Sequence, residues 1–464
     1  MGWLDKLLGK KEEGPQQESG TQQNVANEAS ATSSPFSGLG ITHFGRYSDN
    51  NKSYKKTQSW YIAEDRYKEK NYTESFAALF DYLRDDAEDN VRFRPDGRNF
   101  TFEILQGSKR VLGSCDGEKI TARAPLAVME TPATAVMRRL LEMNFSLFYT
   151  RSAMDENNTL CLVFDSEVSA ASPNKLYYGM RELATKADRL DDMLLADFSN
   201  LKPVGIEHIQ PLSEQELDLK YNWFRKWVQD TLNSLGDLNP DSFSGSIAYL
   251  LLTLVYRIDF LITPEAKLLT QLERIHATYW EKKDELPLVE RNQLMKEAAR
   301  KLLDITRDEF KASVYRSKSS FAISAPGPID KVAEHMINAN NDSRWYIDNK
   351  YPALALVLNE YGVMYNQFIY SMPRILTDLA TIYMAVMYSE YFSSLGMQQS
   401  LYDPANGQFN KEGIRRAIDE ALNRYADKFP NMKWDHNQVS YENLYTFGTS
   451  LTQQMAGLNL ETKR

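Results

Sequence analysis

Seven apolar residues, Leu176, Met180, Leu183, Ala187, Leu190, Leu194 and Phe198, recur at steps of three and four. That spacing predicts one long amphipathic helix over residues 174–198. Arg181, Glu182, Lys186, Asp188, Arg189, Asp191 and Asp192 fill its other face and read as solvated charge. Ser172-Pro173 supplies the start signal.

The stretch upstream switches period. NYTESFAALFDYLRDD, from residue 71, places Phe76, Leu79, Phe80 and Leu83 on one helical face. RPDGR (94–98) reads as a turn by composition. NFTFEILQ, KRVLGSC and KITARAPLAVM follow, parted by Gly107-Ser108 and Asp116-Gly117, and predict a three-stranded antiparallel meander. Thr131-Pro132 opens a second helix, with Thr131 as N-cap, running over 133–145. SLFYTRSAM and TLCLVFD predict two more strands, joined by DENN. The order is helix, three strands, helix, two strands, helix: an α+β domain over 41–202, which the 174–198 helix closes.

Beyond a short connector (203–212) the strand pattern ends, and an all-α domain is expected over 213–464. Helices are predicted at 213–234, 243–262, 264–283, 287–318, 328–340, 352–370, 374–395, 411–428 and 439–456, with no fixed repeat. The most apolar run, 247–263, is interrupted by Arg257 and Asp259, so it reads as a buried helix, not a membrane span.

The N-terminus differs from both. Residues 1–11, MGWLDKLLGKK, predict a short amphipathic helix in which Trp3, Leu4, Leu7 and Leu8 would touch a bilayer weakly. Its apolar run is too short for a signal peptide. Residues 12–40 are rich in Gln, Ser, Asn and Glu and predict a disordered linker.

Composition narrows the function classes. The net charge of −9 over 464 residues argues against a nucleic-acid partner, which would need a surplus of Lys and Arg. Two cysteines, Cys115 and Cys161, cannot build a disulfide framework, and a reducing cytoplasm is expected. The chain has no phosphate loop, CxxC, HExxH or GxSxG, and its five histidines lack metal-ligand spacing. LYDPANGQFNKEG (401–413) would place Tyr402 and Gly413 at the first and last ligand positions of a calcium loop, so it is a turn in which Asn410 caps the next helix. Cys161 lies in an apolar strand and Cys115 beside an acid, both poor settings for a thiolate. No catalytic, cofactor or metal site is predicted.

One feature stands apart: the aromatic density from Trp345 to Phe392. Tyr361, Tyr365 and Phe368 share a helix face. That face is either core or a groove for a partner. An enzyme pocket built from His276, His335 and this cluster is a further alternative.

The element order over residues 60–200 resembles type III secretion chaperone-like folds. RRLLEMNFSLFYTRSAMDENNTLCLVFDSEV, followed by ELATKADRLDDML, resembles the YbjN family of bacterial regulators. The resemblance implies a non-enzymatic protein that holds an extended client, with homodimerisation through residues 133–145. The chain departs from such small chaperones in its N-terminal amphipath and large helical region. A protein-binding adaptor or chaperone-like regulator is the leading expectation, and a membrane-associated structural component tethered by residues 1–11 is the alternative.

Overall fold

The computed structural model describes Phe36, 44–50, 52–85, 88–236, 238–281 and 283–462. Trp3, Leu4, Leu7 and Leu8 and all but Phe36 of the 12–40 linker lie outside the described residues. The chain folds as an α+β unit followed by a largely helical region, as the change of period predicts.

Two helices, α1 (Tyr54–Lys68) and α2 (Tyr72–Leu83), precede the sheet. α2 buries Phe76, Leu79, Phe80 and Leu83, its predicted stripe. α1 is unforeseen because it has no such stripe: it buries only Lys56, Ser59 and Ala63. Ser53 caps it, and the Lys56–Asp81 pair at 2.9 Å ties it to α2.

The meander has four strands, not three: β1 (Val91–Asp96), β2 (Asn99–Gln106), β3 (Lys109–Cys115) and β4 (Lys119–Met129). The expected turn 94–98 shrinks to Gly97-Arg98, and Pro95 pairs with Phe100 inside β1. An edge strand tolerates that proline because its missing N–H faces no neighbour. α3 (Thr134–Met143) starts after Ala133, so Thr131 is not its cap. β5 (Arg151–Met154) is shorter than expected, and β6 (Thr159–Glu167) follows. The long helix α4 (Pro173–Asp197) begins as read, with the Ser172 hydroxyl accepting from the Lys175 N–H.

The sheet order is β1-β2-β3-β4-β6-β5, antiparallel throughout. Strand β7 (Leu201–Pro203) adds to β4, so the expected connector begins inside the sheet. α4 covers one face: Leu176, Met180, Leu183 and Ala187 meet Ile104, Val111, Ala124 and Phe164 in one core. The other face carries Thr101, Ser114, Thr121, Arg123 and Asp165, the alternation of a sheet with one wet side.

The helical region comprises β8 (Gln210–Pro211), α5 (Glu214–Gly236), α6 (Ser244–Ile262), α7 (Ala266–Trp280), α8 (Leu288–Lys301), α9 (Arg307–Ser313), β9 (Tyr315–Arg316), α10 (Ile329–Asp348), α11 (Pro352–Ile369), α12 (Arg374–Met387), α13 (Ser389–Ser394), β10 (Tyr402–Asp403), β11 (Gln408–Phe409), α14 (Lys411–Tyr425) and α15 (Leu444–Ala456). α6 is the buried helix expected at 247–263. Its Arg257 pairs with Glu360 at 2.8 Å and its Asp259 with Arg46 at 2.6 Å. Asn410 caps α14 by accepting from the Gly413 N–H. The predicted 287–318 helix stops at Lys301, because the Thr306–Glu309 capping box starts a new one. The 374–395 helix likewise breaks at Tyr388.

The two cores exchange residues across the expected boundary. Phe44, expected with the α+β unit, lies in the helical core. Phe321, expected with the helices, lies in the α+β core. Gln106 accepts from the Ser320 and Phe321 N–H groups, and Gly107 donates to the Lys318 carbonyl. β8 pairs with β9, which joins the far end of the connector to this returning segment.

Candidate functional site

The strongest surface feature is apolar and lies between residues 141 and 154. Phe145 is 96% exposed, Phe148 91% and Leu141 64%, with Tyr149 and Met154 exposed beside them in sequence. Large aromatics this open carry an unmet hydrophobic driving force. Their presentation is built. Glu182 of α4 accepts the N–H groups of Phe148, Tyr149 and Thr150 at 2.9, 2.7 and 2.9 Å. Backbone donors that a longer β5 would have given to a neighbour go to this carboxylate instead. The expected strand SLFYTRSAM is therefore cut to its second half, and Phe148 is held outward.

The adjacent sheet edge is partly capped at Ser152. Asn144 accepts the Ser152 N–H at 2.8 Å, and the Ser152 hydroxyl donates to the Leu140 carbonyl. The opposite edge, β1, carries Arg92, Arg94, Pro95 and Asp96. Such residues discourage strand addition. Recognition here would come from side chains rather than from a further strand.

The aromatic face predicted at Tyr361, Tyr365 and Phe368 lies on α11 and is partly core. Phe368 is buried, and Tyr361 and Tyr365 are half-buried and stacked, with centroids 5.5 Å apart. The helical region brings His276 and His335 to the same cluster, 4.9 Å from Phe368 and from Tyr365 respectively. His276 Nδ1 is hydrogen-bonded to Tyr256 Oη at 2.9 Å, and His335 Nδ1 to Asn366 Oδ1 at 2.8 Å. Burial, and secondarily Arg46, pushes His276 down to about 4, so it is neutral near pH 7. Burial lifts the Tyr256 phenol well above its usual value. The neutral imidazole and the protonated phenol are thus held as a hydrogen-bonded pair within the aromatic cluster.

A third site escaped the sequence reading. Asp188, Asp191 and Asp192 are not solvated charges. They face the junction between α4, β3 and the start of α7, where Glu265 joins them. Lys109 pairs with Asp191 at 2.6 Å and also donates to the Leu126 and Val204 carbonyls, so all three of its N–H groups are used. Ser108 N–H donates to Asp188 at 2.7 Å. Gly107, with φ +51°, lets Asp188 approach: a Cβ there would overlap the carboxylate oxygens. Burial drives Asp188 up to about 7 and Asp192 up to about 8, with neighbouring carboxylates adding to it. Glu265 is raised well above its usual value, again chiefly by burial. Among the described residues, no group of His, Cys, Asp and Glu has the geometry to hold a metal ion.

Cys115 and Cys161 are buried and unpaired. Burial raises both thiols, Cys161 to about 11, so neither is a poised nucleophile.

No protein-family model matches the chain, and no curated protein matches it in sequence. The functional reading therefore rests on the geometry.

Proposed function

We propose that the chain is a non-enzymatic, protein-binding adaptor or chaperone-like regulator. The α+β unit takes the client, and the helical region holds that unit and offers a second surface. The observation that carries this reading is the exposed set Leu141, Phe145, Phe148, Tyr149 and Met154, in which Glu182 fixes the backbone of Phe148 and Tyr149. A client presenting apolar side chains would bury these side chains, each worth about 2 kcal/mol when fully covered. The acidic chain would steer basic clients toward it. The client-holding role follows the sequence resemblance to type III secretion chaperone-like folds and the YbjN family, from which the unit differs by an added first helix and a fourth meander strand. Homodimerisation through the same α3 surface belongs to this proposal, since Leu141 lies on α3 and is open. Two buried, unpaired thiols support a cytoplasmic setting.

The test is affinity capture in the native host with the full chain and with the Phe145→Ser/Phe148→Ser double variant. The proposal expects one identified protein, or a second copy, to be held by the natural chain and lost from the variant, with equal thermal stability of the two. Equal capture by both would remove the α3–β5 surface from the account.

A further inference from the structure

A cavity of about 510 Å³ lies where the start of α1, the end of α2 and the segment after α14 converge. Its volume is that of a small-molecule site. Lys52 and Lys428 both line it, together with Tyr54, Tyr61, Tyr82 and Asp49. Lys52 donates to the Leu83 carbonyl at 2.9 Å and sits 5.4 Å from the Tyr82 ring centre. Lys428 donates to the Asn50 carbonyl. Among the described residues, neither ammonium is paired with a carboxylate. Each has three N–H donors and gives one to the backbone. Two under-used cations therefore share one concave site with a single lining acid, Asp49, which already accepts from Tyr177 Oη at 3.3 Å.

Asp49 offsets part of the cost of burying the Lys52 ammonium, and Lys428 has no lining carboxylate beyond it. Burial, reinforced for Lys428 by Arg374 and Lys52, lowers both lysines to about 8. The remaining charges nearby are spoken for: Arg374 pairs with Asp85, and Lys56 with Asp81. The walls are aromatic. Tyr54, Thr57, Gln58 and Tyr61 occupy one face of α1, and Tyr61 is 53% exposed although the cavity could seat a flat partner against it.

We propose that this cavity binds a small organic anion bearing a flat ring, an aryl phosphate or aryl carboxylate. The ammoniums of Lys52 and Lys428 hold the anionic group, and the tyrosines cover the ring. The assignment does not depend on the protein-binding proposal.

The experiment is calorimetric titration of the full chain with phenyl phosphate, benzoate and inorganic phosphate near pH 7. Phenyl phosphate or benzoate should bind more tightly than inorganic phosphate, and whichever is tighter identifies the anionic group. Lys428→Gln should weaken the tighter one about tenfold or more, as loss of a charge-assisted hydrogen bond does. Tyr61→Ala changes an exposed side chain, so it tests the site even if the lysine variant fails to fold. It should weaken the aryl ligand and leave inorganic phosphate unchanged. Affinity should also fall as the pH rises through about 8, where Lys52 and Lys428 lose their protons. Absence of binding by both aryl anions at millimolar concentration, or equal binding in the Tyr61→Ala chain, would overturn the assignment.

Discussion

Raising the pH from about 5 to about 8 should weaken the folded chain through the carboxylates at the α4–α7 junction. The folded state holds a proton on Asp188 up to about pH 7, whereas the unfolded chain releases it near the ordinary value of 3.8. Where the folded state binds more protons, stability falls as pH rises. The contribution is fully present below the unfolded value and is lost as pH climbs through the folded one. Each tenfold difference in proton affinity between the two states is worth about 1.4 kcal/mol, which bounds the loss for Asp188 near 4 kcal/mol. Roughly 2 kcal/mol of it falls between pH 5 and 7. Asp192, raised to about 8, extends the same trend to higher pH. Asp188→Asn keeps an oxygen to accept the Ser108 N–H, which lies 2.7 Å from the carboxylate, and removes the charge. Urea unfolding of both proteins at several pH values is the assay. The natural chain should lose stability toward pH 8, and the variant should lose less and exceed it there. A flat or rising profile for the natural chain, or an Asp188→Asn protein less stable at pH 8, would refute the reasoning.

Other perturbations probe separate parts of the fold. Arg257→Met leaves the buried Glu360 without its cation: it loses the two hydrogen bonds from Arg257 at 2.8 and 2.9 Å and keeps the one from Tyr388, which should cost about 3–5 kcal/mol in chemical denaturation. Gly113→Ala would set a Cβ into the Phe102 ring, so a loss of about 1–3 kcal/mol is expected from the same assay. Phe148→Ser removes a side chain that is 91% exposed, and its unfolding free energy should stay within about 0.5 kcal/mol of the natural chain. Asn144→Ala frees the Ser152 N–H, and hydrogen exchange at that amide should accelerate while the amides of β4 hold.

What the sequence revealed follows from the range of the forces involved. α4 was legible because its apolar stripe is local, and Ser172 and Asn410 caps are set by neighbours three residues away. α6 was legible as a buried helix because Arg257 and Asp259 interrupt its apolar run, and the fold covers nearly all of it and pairs both charges. α1 was hidden because it has no apolar stripe of its own: it is held by polar bonds to Asp81 of α2 and by Trp60 packing on Tyr82 and Tyr177, partners distant in sequence. The burial of Asp188, Asp191 and Asp192 depends on Lys109 and Glu265, both distant in sequence, so their own helix reads as a wet surface. The open patch was hidden for the same reason. SLFYT alternates like a strand, and only Glu182, more than thirty residues on, takes its donors away. The histidines came together on the aromatic cluster, but α11 places Phe368 in the core.

The most direct test of the central claim is site-specific photo-crosslinking in the native host, with a benzophenone side chain at position 148 and, as control, at the exposed Lys433. A discrete protein adduct is expected at 148, to one partner or to a second copy, that disappears with Phe145→Ser. Adducts no more abundant at 148 than at 433 would contradict it.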